Sequence, residues 1–294
     1  MEIRVLKYFL TIAREGSFSR AAEVLHVTQP TLSRQIKELE NEYDKIFFDR
    51  TSRSLILTDD GILFRKRAEE IINLVEKTEQ QLLSSENELS GDIYIGCGES
   101  NCNRSVIRAM VKMKNMYPHV KFHITSGNAD QIMEKLDNGL YDFGIVIEPV
   151  NMTKYDFIKL PDYDKWGVWM KRNSELAKLD FITPQDLKNK PIILSNQEMV
   201  KNEISGWIGG NQRKLNIIAT YNLIYNALLM VEEEDMGYVL GLEKLYNEYE
   251  DSKLCFKPLK PTLSVGLNII WKKYQVFSKA TEIFLDLLSD EINN

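Results

Sequence analysis

Between Gly16 and Glu40 the chain reads GSFSRAAEVLHVTQPTLSRQIKELE, and no other stretch limits the possible folds as tightly. Two helical patterns follow one another with only HVT between them, so the helices must cross over a tight turn. Ala21, Ala22 and Leu25 form the inward face of the first, and the two alanines let a neighbouring helix approach closely. Ser17 suits its N-cap. Thr28 can cap the second helix, where Pro30 is tolerated because first-turn N–H groups lack intrahelical partners. Leu32, Ile36 and Leu39 are its inward stripe, and Val5, Leu6, Phe9, Leu10 and Ala13 predict an earlier amphipathic helix over Ile3 to Ala13.

The outward residues carry the chemistry. Gln29 and Thr31 stand at the leading end of the second helix, with Pro30, Ser33, Arg34 and Lys37 along its exposed side. In a major groove Arg34 can donate to guanine and Gln29 to adenine, while Pro30 packs on a thymine methyl. Ser33 and Thr31 can bond bases or phosphates, and Ser17 and Arg20 join the same contact set from the first helix. The bland alternative is a solvated polar face. The next segment, KIFFDRTSRSLILT, reads as strand, polar loop and strand, and puts Arg50 and Arg53 at or near the tip. A hairpin so armed can reach a minor groove or flanking phosphates. Its alternative is local pairing of those arginines with Asp49 or Asp59.

These residues together carry a family resemblance. The S-F-S-R-A-A run, the T-Q-P-T-L-S core and the R-T-S-R…L-T-x-x-G ending resemble the winged helix-turn-helix of LysR-type transcriptional regulators over about sixty residues. The helix-turn-helix spans Phe18 to Lys37. Tyr43-Asp44 departs from the Leu-Gly turn common there. The resemblance implies promoter DNA as partner, self-association, and a small-molecule effector.

After the hairpin, Thr58 to about Leu89 reads as one long helix, with Asp59 and Asp60 favourable at its positive end. Phe64, Ala68, Ile71, Val75, Thr78 and Leu82 recur at alternating steps of four and three, an a/d seam that a second copy can bury. Packing on the helix's own domain is the alternative. The resemblance favours dimerisation through this helix and implies a tetramer of paired dimers.

From Gly91 the pattern changes to strand-like runs alternating with amphipathic helices, which predicts an α/β domain. GDIYIGCGES, VKFHITSG and DFGIVIE are strands around two helical patterns, a βαβαβ unit with parallel strands. A second series runs through KWGVWMK, PIILSN, NLIYNALLMVEEED and MGYVLG, and LSVGLNIIWKK and SKATEIFLDLL close the chain. The pattern resembles the LysR effector domain, two lobes similar to periplasmic solute-binding proteins. The implied organisation is a winged helix-turn-helix over 1–58, a linker helix over 59–90 and an effector domain over 91–294. Lobe I then takes about 91–161 and 263–294, and lobe II about 162–262.

Ligands of open α/β sheets sit beyond the carboxyl ends of strands. The candidates there are Glu99, Ser100, Asn101, Thr125, Gly127 and Asn128 from one lobe, and Ser195, Asn196, Tyr221 and Asn222 from the other. Each can also be an ordinary turn residue. Glu99 is awkward for a carboxylate ligand and hints at an amine or hydroxyl, although Arg104 stands near enough in sequence to compensate.

Other classes find less support. Cys97 and Cys102 flank the first cleft loop and raise a thiol-sensor alternative; filling space in a core is the other use of such residues. The three cysteines are too few and odd in number for a disulfide framework, and a reducing cytoplasm is expected. MEIRVLK does not resemble a secretory signal, and no run of about 18 apolar residues predicts a membrane span. An enzyme is the remaining class. His26, His119 and His123 have no metal-ligand spacing, GCGESN lacks the third glycine of a dinucleotide loop, and no nucleophile elbow appears. No cofactor, metal or catalytic residue is expected. The net charge of −6 argues against indiscriminate coating of nucleic acid; through Thr58, nine basic and eight acidic residues nearly cancel.

Overall fold

The computed structural model describes residues 1–50, 55–83, 89–209, 215–234, 236–245 and 252–293. The chain divides into two compact units, Met1–Leu83 and Ser84–Asn294.

In the first unit, α1 (Ile3–Glu15), α2 (Phe18–Val24) and α3 (Gln29–Tyr43) enclose a core with Leu6, Phe9, Ile12, Ala21, Leu32 and Ile36, each at most 2% exposed. Gly16 ends α1 in the left-handed region (φ 60°) that glycine adopts freely. The caps fall where expected: Ser17 Oγ accepts from the Arg20 amide, and Thr28 Oγ1 from the Thr31 amide, each at 3.4 Å. Strands β1 (Phe48–Arg50) and β2 (Leu55–Leu57) pair antiparallel, Phe48 opposite Leu57. Glu40 holds this hairpin to α3 by accepting from the Phe47 and Phe48 amides at 2.8 and 3.3 Å. Arg53, and the side chains of Arg50 and Leu82, lie outside the described residues.

Helix α4 (Asp59–Leu83) belongs to the same unit, capped by Thr58, whose Oγ1 accepts from the Gly61 amide at 3.0 Å. Here the seam read from the heptads must be corrected. Ala68 is fully buried, and Phe64 packs edge-on against Phe9 (centroids 4.7 Å) and stacks on Phe47 (4.4 Å). Both are spent in the unit's own core because the hairpin and α1 supply an aromatic shell that α4 closes. Ile72, outside the expected seam, is buried with them. Among the described side chains of α4, the apolar ones left exposed are Ile71 and Leu74, with Ile62 and Leu63 nearer the start. Val75 is half-buried and Thr78 exposed.

The second unit is built on one nine-stranded sheet. At one end β3 (Gly91–Cys97) lies between β4 (Val120–Ser126) and β5 (Phe143–Ile147), all parallel, with α5 (Arg104–Met116) and α6 (Ala129–Asp137) as crossovers. At the other, β7 (Pro191–Ser195) lies between β8 (Asn216–Tyr221) and β9 (Tyr238–Leu242), again parallel. The two ends are joined by β6 (Tyr155–Lys171) and β11 (Ser264–Lys272), which run antiparallel to each other. The first part of β6 pairs with β11; the last part pairs with β9 and with β10 (Leu254–Pro258).

Separate cores mark the lobes. Leu160, Leu267 and Ile269 pack in the first core with α5 and the closing helix Lys279–Asn293, whereas Trp166 and Val265 pack in the second. The chain thus crosses between Leu160 and Trp166 and returns between Val265 and Leu267. Three elements of the second lobe had no counterpart in the sequence reading: β8, β10 and α7 (Glu198–Trp207).

Candidate functional site

The exposed side of α3 is a connected polar surface. Gln29 Nε2 donates to Ser33 Oγ at 3.0 Å, and the Thr28 and Thr31 hydroxyls bond each other at 2.8 Å. Arg34 donates from Nε to Glu38 Oε1 at 2.8 Å, and Gln35 donates to Glu38 Oε2 at 2.8 Å. The Arg34 side chain keeps 79% of its area exposed, so this pair competes only weakly with an external acceptor. Gln29, Pro30, Thr31 and Lys37 are exposed, while Leu32, Ile36 and Leu39 are buried beneath them. Arg20 is exposed at the start of α2, its Nη2 donating to the Glu15 carbonyl at 2.7 Å; Ser17 is occupied as a cap. Gln35 and Glu38 belong to this surface and were not among the expected contacts; the position of Glu38, four residues after Arg34 and three after Gln35, was the available signal.

A second feature is the cleft between the two lobes. Its inner cavity has a volume of about 60 Å³, and an outer chamber of about 410 Å³ shares Gly98, Glu99, Ile224 and Leu245 with it. Of the expected residues, Glu99, Gly127, Asn128, Ser195, Tyr221 and Asn222 line the inner cavity. The others are placed differently. Ser100 lines the outer chamber and donates its hydroxyl to Asp164. Asn101 donates from Nδ2 to the Lys244 carbonyl, so it ties one lobe to the other. Asn196 accepts from Asn128 Nδ2 at 3.4 Å, a second tie. Thr125 lines neither space: it is exposed on edge strand β4, and the next residue, Ser126, whose side chain faces the other way, reaches the outer chamber.

The sequence reading also missed residues that make up most of the wall. Val146, Ile147, Trp166, Val200, Leu223, Ile224, Leu242 and Leu245 line the inner cavity together with Gln197. The Trp166 indole N–H is buried without a hydrogen-bond partner, in a residue only 3% exposed. Burial raises the Glu99 carboxyl above its ordinary range. The Tyr221 hydroxyl is not offered to the cavity, since it donates to the Leu240 carbonyl at 2.6 Å.

The two thiols that flank the first cleft loop are held above their ordinary range by burial. Burial, and then the charge of Glu99, push Cys97 up to about 11; its sulfur accepts from Asn103 Nδ2 at 3.1 Å. Burial pushes Cys102 up to about 11 as well. Burial disfavours the thiolate of both near neutral pH, so this environment gives the thiol-sensor alternative no support. Among the described residues no group of three His, Cys, Asp or Glu is placed to hold a metal ion, and no helix is long and apolar enough to cross a membrane.

Known proteins match both units. Residues 3–62 match the model of the bacterial regulatory helix-turn-helix protein, lysR family, and residues 86–293 that of the LysR substrate binding domain. The HTH-type transcriptional regulator BsdA of Bacillus subtilis (strain 168) is 32% identical over 163 residues, which is 55% of this chain and 56% of BsdA. The chain therefore spans about half the length of that relative. An HTH-type transcriptional regulator of Shigella flexneri, YfeR, is 25% identical over 99% of this chain and 94% of its own. The crystal structure of CbnR, a LysR family transcriptional regulator, shares the fold over the full length of both chains with a TM-score of 0.76 at 17% identity. A second structure, full-length CbnR complexed with its target DNA, gives 0.75, covering 99% of this chain and 100% of that one. With models matching the helix-turn-helix and the domain behind it, the chain belongs to the LysR family of transcriptional regulators.

Proposed function

We propose that α3 enters the major groove of a promoter and reads bases with Gln29, Pro30, Thr31, Ser33, Arg34 and Lys37. Arg20, Arg50 and Arg53 hold flanking phosphates or a minor groove, and Ser17 sets the angle of α2. The observation that carries this reading is the row of exposed polar side chains on a capped helix whose other face is fully buried. The protein works in the cytoplasm without chemical turnover. Two copies associate along α4 through Ile71, Leu74, Val75 and Thr78, and two such dimers pair on DNA.

An effector settles in the cleft against Glu99, Gly127, Asn128, Ser195, Tyr221 and Asn222. It shifts the lobes only by binding one arrangement more tightly than the other. The hydrogen bonds Asn101–Lys244 and Asn128–Asn196 are the contacts such a shift would remake. Fluorescence anisotropy against DNA from just upstream of its own gene, beside scrambled DNA and at two salt concentrations, tests the DNA reading. Specific binding that weakens with salt is expected. Binding to both DNAs with equal weakness counts against the assigned face.

A further inference from the structure

We infer that the cleft is built for a small primary ammonium compound with a short aliphatic body and a carbonyl acceptor, not for a carboxylate. This rests on the reading of the cleft as the effector site.

Three observations point the same way. Glu99 is the only carboxylate, and no lysine or arginine appears, among the described residues that line the inner cavity. Arg104, the nearest candidate counter-ion, donates to Asn101 Oδ1 at 3.2 Å and lines a separate outer pocket with Ile107 and Arg108. Lys244, close by, is 3.9 Å from the Glu243 carboxylate. A half-buried carboxylate beside apolar walls is stabilised by an incoming cation and repelled by an anion.

Helix ends usually attract anions, but the end of α6, which lines the cavity, has two of its amide donors occupied. Asn128 Oδ1 accepts from the Gln131 amide at 3.0 Å, and Gln197 Oε1 accepts from the Ala129 amide at 3.2 Å. At α7, Ser195 Oγ accepts from the Gln197 amide at 3.3 Å, and Glu198 puts a negative charge in the first turn. An anion arriving at α6 finds filled donors, and one arriving at α7 meets the like charge of Glu198.

The third observation is Trp166, which lines the same cavity and whose indole N–H is buried and unpaired. An indole N–H only donates, and leaving it unmatched is costly, so the ligand's contribution there is an acceptor. Val146, Ile147, Val200, Leu223 and Leu242 then receive the aliphatic body.

L-Leucinamide has these groups, 4-methylpentanamide lacks only the ammonium, and 4-methylpentanoate inverts the charge. Calorimetric titration of each into the full-length protein near pH 7 is the test, repeated on Glu99→Gln, Trp166→Phe and Asn222→Trp; circular dichroism checks that each variant folds. Leucinamide should bind at millimolar or lower concentration, with affinity falling about tenfold or more in Glu99→Gln. The neutral amide should bind more weakly than leucinamide, and the carboxylate should give no heat. Carboxylate binding that Asn222→Trp abolishes overturns the charge assignment and leaves the cleft reading standing. Absence of leucinamide binding overturns the inference. Leucinamide binding unaffected by all three substitutions overturns both the inference and the placement of the ligand in the cleft.

Discussion

At Gly61 a β-carbon would stand 2.1 Å from the Phe47 carbonyl oxygen, and no rotamer change can relieve a clash with backbone. This is the glycine that ends the L-T-x-x-G run, and the contact is what seats α4 against the hairpin. Gly61→Ala should destabilise the first unit by about 1–3 kcal/mol, read as a lowered midpoint in a circular dichroism melt. An unchanged midpoint would mean that the hairpin can shift without cost. Arg34 is a different kind of residue, exposed and paired with Glu38. Arg34→Ala should weaken specific DNA binding about tenfold or more and flatten the preference at a single base pair, measured by anisotropy on single-site variants. Residues such as Arg34 are legible in sequence because exposed polar side chains on a patterned helix have few other uses. Trp166 was not, because a tryptophan in an apolar strand looks the same whether its N–H meets a carbonyl, as Trp169 does at Leu242, or meets nothing.

Among elements, α1 was readable from its clean apolar stripe, and α2 and α3 from an inward apolar face with a capping residue, whose caps bond as the sequence required. Helix α4 was readable as a helix but not in its partition. A heptad pattern says which residues share a face, and α1 and the hairpin had first claim on Phe64 and Ala68. Two substitutions separate the roles. Phe64→Ala should cost roughly 3 kcal/mol of stability in the first unit, seen by thermal melting. Leu74→Lys should leave that melt nearly unchanged and shift sedimentation velocity from dimer towards monomer. A Leu74→Lys protein that still sediments as a dimer would place the self-association surface elsewhere. The first part of β6 escaped notice for another reason: YDFIKLPDYDK carries Pro161 and five acidic or basic side chains, a composition that strands seldom show.

Across the effector domain, acidic groups are buried with too little compensation. Glu203 has a buried carboxyl oxygen without a hydrogen-bond partner, and burial first, then the Glu148 charge, raise its pKa. Burial raises Asp164 too, against the opposing hydrogen bond from Ser100. A carboxyl whose folded pKa lies above its unfolded value costs stability at neutral pH; that cost shrinks as pH falls through the folded value. Glu203→Gln should therefore raise the melting midpoint at pH 8, and the advantage should narrow towards about pH 4.5, near the ordinary glutamate range. An advantage that stays constant with pH would show that charge is not its origin.

The placement of β11 sets a timetable for synthesis. Ser264–Lys272 fills the gap between β5 and β6, so the first lobe cannot close its sheet until the last strand has been made. At about 5–20 residues per second, the roughly 120 residues separating β5 from β11 take on the order of 6–24 s to emerge. For that time the nascent β5 edge is open while the helix-turn-helix, complete by Leu83, can already fold. A ribosome stalled before Ser264 would thus carry a finished DNA-reading head ahead of an unfinished sensor, the species on which chaperones and proteases would act first.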